Sequence, residues 1–134
     1  IGAALAEGGV HDIIKFPLGT IGTAWTADDG HPQEEGAAVD YNRTYSPLHT
    51  VRANKTYPTV ILACADHDDR VVPAHSFKLA AEMQHTLANN ANPILLRVDL
   101  QAGHAEGKST QKRMEEAAEK YAIVAHVLGL PLTP

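Results

Sequence analysis

The stretch Tyr57-Pro58-Thr59-Val60-Ile61-Leu62-Ala63-Cys64-Ala65-Asp66-His67-Asp68-Asp69-Arg70-Val71-Val72-Pro73 decides how this chain folds. Thr59 to Ala65 is apolar without polar alternation, the pattern of a parallel-sheet strand covered on both faces. Three acids and an arginine follow at once, so the strand ejects carboxylates at its C-terminal end.

Working outward, Ser76 to Leu87 predicts a helix with Phe77, Ala80, Ala81, Met83 and Leu87 as its apolar positions and Asn89-Asn90 as its stop. Pro93 to Val98 is a second apolar strand, followed by Ala102-Gly103-His104. Lys112 to Leu128 is the clearest helix. Met114, Ala117, Ala118, Tyr121, Ala125 and Leu128 form one stripe, Glu116 precedes Lys120 by one turn, and Gly129 and Pro131 end it. Strand, helix, strand, helix implies parallel strands joined by right-handed crossovers. Upstream, Ala3 to Val10 reads as a short strand closed by Gly8-Gly9, and His11 to Phe16 as one or two helical turns stopped before Pro17. Residues 26 to 45 are rich in Asp, Gly, Glu and Asn. There Pro32 to Gly36 predicts an exposed loop or the start of a surface helix, and Tyr45-Ser46-Pro47-Leu48-His49 turns the chain back.

In such a sheet all strand C-termini share one edge, and ligands bind outside it. Asp66 to Asp69 and Gly103-His104 should therefore be neighbours. A carboxylate beside an imidazole sets its tautomer and stabilises the imidazolium formed when a serine proton is taken. Acid before histidine is the chain order of an α/β-hydrolase triad after its serine. Ser46, Ser76 and Ser109 all lie outside a Gly-x-Ser-x-Gly elbow, so the nucleophile is missing. The chain also begins at Ile1 in an apolar run without an initiator Met or a targeting signal. These features predict an α/β fold, the C-terminal portion of an α/β-hydrolase fold that is incomplete without upstream strands. Spacing alone leaves Asp66, Asp68 and Asp69 open as the acid, although three acids cannot all be buried in ionised form. A rival reading takes Asp66, His67, Asp68, Asp69 and His75 as a metal site. It lacks a recognised ligand spacing, and Arg70 adds positive charge beside it.

Composition narrows the function classes. The 134 residues are 44% hydrophobic, enough for a core, and the net charge of −5 with scattered basic residues argues against nucleic acid or anionic membrane as partner. No run approaches the roughly 18 to 20 apolar residues of a membrane span. The single cysteine, Cys64, cannot form an internal disulfide, which suits a reducing, cytoplasmic setting and also fits a disulfide-free exported protein. Lying mid-strand, it reads as a small buried hydrophobe.

The chain resembles the C-terminal part of the catalytic domain of the prolyl oligopeptidase (prolyl endopeptidase) family, serine peptidases whose α/β-hydrolase domain is capped by a β-propeller. The matching residues are Asp12-x-x-Lys15-Phe16, Thr20-Ile21-Gly22-x-Ala24-Trp25, Tyr45-Ser46-Pro47-Leu48-His49, Tyr57-Pro58, the block from Ala65 to Ser76, and Ala102-Gly103-His104-x-x-Gly107-Lys108. They run in order through nearly the whole chain, and the Asp66 to Ser76 block with Trp25 and His104 is the most specific part.

The resemblance implies Asp68 as triad acid and His104 as triad base, with no cofactor and no metal. It implies that Arg70 hydrogen-bonds a substrate carbonyl, that Trp25 stacks on a substrate proline, and that Val10 and Val71 line the same pocket. The partners implied are short proline-containing peptides and the rest of the same peptidase chain, whose nucleophile-bearing segment and propeller lie outside these 134 residues. The chain alone is then expected to be inactive and to expose an apolar edge. One departure stands out. The family usually has Tyr four residues after the pocket Trp, and here that position is Asp29. Other oligopeptidases of the same group, such as oligopeptidase B or an acylaminoacyl peptidase, and a non-catalytic interaction domain on a decayed hydrolase fold, are the alternatives.

Overall fold

A computed structural model describes residues 1–32, 36–104 and 108–131. Strand β1 (Ala3–Glu7) pairs in parallel with β2 (Thr59–Ala65), which pairs in parallel with β3 (Ile94–Asp99), in the order β1-β2-β3. Every residue of β2 is buried, as its unbroken apolar run requires of a central strand covered on both faces. The register sets Glu7, Ala63 and Arg97 in one row across the sheet.

Helix α1 (Thr26–Asp29) is a single turn and α2 (Gly36–Tyr45) runs into the turn at Pro47–His49. Gln33, Glu34 and Glu35 of the expected exposed stretch lie outside the described residues, whereas Pro32 is buried. Helix α3 (Ala74–Thr86) crosses from β2 to β3 and packs Leu79, Ala80 and Met83, with Leu87 just beyond it, on Val60, Leu62 and Ile94. Its buried stripe is not wholly the expected one, because Phe77 is 41% exposed and Ala81 is exposed. Leu79, unmarked by the sequence reading, takes the inward position.

Helix α4 (Thr110–Val127) starts two residues earlier than its apolar pattern predicts, because the Ser109 side chain caps it by accepting a bond from the Lys112 amide. Gly129 ends it at φ +66°, with its own amide on His126 and that of Leu130 on Ala125, so both terminal carbonyls are satisfied. The predicted stripe is corrected here. Met114 and Tyr121 are 63% and 70% exposed, while Lys120 is buried at 6%. The face of α4 turned to the sheet carries charge. Lys120 joins Glu7 of β1 and Glu116 at 2.5 Å each, Lys108 joins Asp99 at 2.5 Å and Glu116 at 2.7 Å, and Arg97 joins Glu119 at 2.8 Å. Because alternate strand residues face opposite sides, Glu7, Arg97 and Asp99 lie on the face away from the α3 core, and the helix rotates to meet them.

A smaller correction concerns Pro17. It does not stop a helix but sits inside a 3₁₀ turn, Phe16–Leu18, where its missing amide proton costs no hydrogen bond.

Candidate active site

All three strands end on the same edge, and the loops leaving them meet there. The amide of Asp66, just past β2, bonds the Asp99 carbonyl at 3.0 Å, and the amide of His67 bonds Ala102 at 3.1 Å. This short zipper carries the β3 loop over the β2 loop and sets His104 against Asp68.

Asp68 is buried, at 5% exposure. One carboxylate oxygen accepts from the amides of Arg70 at 2.9 Å and Val71 at 2.8 Å, and the other lies 2.7 Å from Nδ1 of His104. A carboxylate held by two backbone donors is oriented before any partner arrives. With its Nδ1 on that carboxylate, His104 directs Nε2 elsewhere, and its side chain stays 34% exposed. The three acids separate by environment. Asp66 bonds the ring of exposed His67 at 2.7 Å, which together with backbone amides holds its carboxyl down at about 2, and Asp69 is exposed. Among them only Asp68 meets His104.

The residues of the rival metal reading are engaged in other bonds. Asp66 and His67 bond each other, while His75 on α3 accepts from the Asp12 amide at 3.2 Å. Among the described residues no three His, Cys, Asp or Glu side chains are placed to share a metal ion. Cys64 is buried and free, and burial pushes its thiol up, away from thiolate character.

Beside the Asp68–His104 pair lies an open pocket of about 340 Å³. Val10, Trp25, Arg70, Val71 and His104 all line it, so five of the six sequence-selected residues share one pocket while Asp68 stands behind His104. Its walls also include Gly8, Ile13, Phe16 and Asp29. Phe16 stands behind Trp25 with ring centroids 6.3 Å apart and planes tilted by 32°. Sequence reasoning did not select Gly8, Ile13 or Phe16, and the signal for Phe16 was its place in the Asp12-x-x-Lys15-Phe16 motif. None of Ser46, Ser76 and Ser109 lines the pocket. Ser46 is buried and bonds the Ile13 amide and the His49 ring, and Ser109 caps α4. Gly107 of the last matching motif lies outside the described residues.

The chain is 55% identical over 129 residues to prolyl oligopeptidase A of Amanita bisporigera, covering 96% of this chain and 17% of that protein. It is 42% identical over 134 residues to a dual function macrocyclase-peptidase of Galerina marginata, covering 98% and 18%. Among solved structures it superposes on prolyl oligopeptidase B from Galerina marginata, bound to a 35mer hydrolysis and macrocyclization substrate, with a TM-score of 0.91 at 40% identity over 99% of this chain and 18% of that one. The chain thus spans under a fifth of the length of these relatives, and its parallel sheet with crossover helices matches the C-terminal α/β-hydrolase portion of the solved ones. The family model for prolyl oligopeptidases matches residues 2–130, and the chain belongs to the prolyl oligopeptidase family.

Proposed function

We propose that this chain is the acid- and base-bearing part of a serine peptidase that cleaves short peptides on the carboxyl side of proline, the nucleophilic serine coming from a segment of the same protein outside these residues. The observation that carries the reading is the Asp68–His104 pair, 2.7 Å apart, on the rim of a pocket walled by Trp25, Val10 and Val71.

The steps follow from the atoms. His104 Nε2 takes the serine proton as the hydroxyl attacks the scissile carbonyl, and Asp68 on Nδ1 keeps the ring in the tautomer that makes Nε2 basic. The same carboxylate stabilises the imidazolium, which then hands the proton to the leaving amine. Water repeats the sequence on the acyl-enzyme. Proline presents an apolar ring without an N–H, so an indole face and two valine side chains suit it, and the Arg70 guanidinium on the same pocket suits donation to a substrate carbonyl. Alone, the chain has no nucleophile and no peptidase activity.

The test is hydrolysis of a short peptide with a chromogenic group after proline by the full-length protein containing this chain, beside its His104→Ala variant. Cleavage after proline that falls by three or more orders of magnitude in the variant supports the reading. Full-length protein that cleaves nothing and ignores a serine-directed phosphonate would instead be a non-catalytic interaction domain.

A further inference from the structure

We infer that Asp29 makes this pocket select a ring bearing a neutral hydrogen-bond donor, that is, a hydroxylated proline, at the residue whose carbonyl is attacked; the inference rests on the post-proline reading above.

Val10, Ile13, Phe16, Trp25 and Val71 give the pocket apolar walls suited to the body of a small ring. Asp29, itself exposed, belongs to the same lining and brings a carboxylate to the pocket's edge. Among the described residues that carboxylate has no ion pair or hydrogen bond. Its main-chain carbonyl accepts from the Asn42 side chain at 3.4 Å. Asn42 is itself buried and held by the Tyr45 hydroxyl at 2.7 Å, so the backbone beneath the carboxylate is anchored while its oxygens stay available. An unmodified proline ring covering those oxygens strips water from them and offers no donor in return, which is unfavourable. A ring hydroxyl supplies the donor, and a hydrogen bond to a charged acceptor is the stronger kind.

A cationic side chain is the other group that a carboxylate attracts. Arg70 shares the pocket and repels it, and five apolar walls disfavour burying an ammonium. The neutral donor satisfies Asp29 without opposing Arg70.

The experiment uses the full-length protein containing this chain and three peptides identical except for proline, 4-hydroxyproline or lysine at the cleavage position. Wild type, Asp29→Asn and Asp29→Ala are compared by kcat/KM. The hydroxyproline-to-proline ratio should fall roughly tenfold in Asp29→Ala and by less in Asp29→Asn, which keeps an acceptor without the charge. Both peptides are read on one preparation, so partial loss of folded enzyme cancels from the ratio. A ratio that moves less than twofold, while the proline peptide is still cleaved, overturns the inference and leaves the post-proline reading standing. Lysine outperforming hydroxyproline in wild type but not in Asp29→Ala overturns the neutral-donor assignment. If wild type cleaves no peptide of the set, the post-proline reading fails and this inference with it.

Discussion

Gly8 and His104 share one space. Gly8 leaves β1 at φ +53° with its amide on the Ala63 carbonyl at 2.9 Å, and a β-carbon there would stand 3.3 Å from Cε1 of His104. The end of β1 therefore forms a floor against which the imidazole rests.

Gly8→Ala sets a left-handed backbone against an L side chain and pushes the ring. The backbone effect is about 1 kcal/mol of stability. The larger consequence is positional, since a shift of about 1 Å at a reacting group lowers turnover by up to about 10²-fold. Steady-state kinetics of the full-length protein should show kcat falling with KM nearly unchanged. An unchanged kcat would show that the ring does not depend on this contact.

Asp68 and Asp66 are two residues apart and should respond very differently to the same change. In Asp68→Asn an amide replaces the oxygen facing Nδ1, the ring adopts the wrong tautomer, and kcat falls by on the order of 10⁴. Asp66→Asn touches only the exposed His67 ring and backbone amides, and kcat/KM should change by less than about threefold. Comparable losses in both variants would remove the assignment of Asp68 as the acid.

Behind the pocket His11 and His75 are both buried, and burial is the main cause that pulls each below its ordinary 6.5; His75 adds to the shift of His11, and at His75 the attraction of Asp12 is outweighed. With folded-state values below the unfolded one, the unfolded chain binds protons first as pH falls, so stability is full above about 6.5 and declines beneath it. Among the described residues Nε2 of His11 has no hydrogen-bond partner, and Nδ1 of His75 must stay unprotonated to accept from Asp12. His11→Met should be equal to or about 1 kcal/mol more stable than wild type near pH 7.5 and lose less between pH 7.5 and 5.5. Urea midpoints across that range measure it, and parallel acid limbs in the two proteins would exclude His11 as a contributor.

The ion pairs under α4 should act as a unit. Burial raises the Glu116 carboxyl, but Lys108 and Lys120 outweigh it and hold it at about 2. Lys120→Met leaves Glu116 half-neutralised and should cost about 3 kcal/mol, whereas adding Glu116→Gln should restore part of that loss. Additive single and double variants in chemical denaturation would show instead that Lys120 acts by packing alone.

Thr59–Ala65 was legible as a buried strand to the residue, since a run apolar on both faces has few other places to go. The βαβα order, the end of α4 at Gly129 and the meeting of the Asp66–Asp69 loop with His104 were legible for similarly local reasons. Burial of the α4 stripe was not. Apolar spacing identifies a helix, but Met114 and Tyr121 face outward because Glu7 attracts Lys120, Arg97 attracts Glu116 and Glu119, and Asp99 attracts Lys112. Nor could spacing choose among three neighbouring acids, and it left Gly8 and Phe16 unmarked.

Chain order, strand burial and turn chemistry were determined by the sequence itself, because they rest on sterics and hydration within a few residues. Which carboxylate turns onto the Arg70 and Val71 amides, which helix face meets the sheet, and that Gly8 and Phe16 share the pocket with His104 were decided only by tertiary structure. Those relations join residues far apart in the chain, and their energies depend on distances that no local pattern contains.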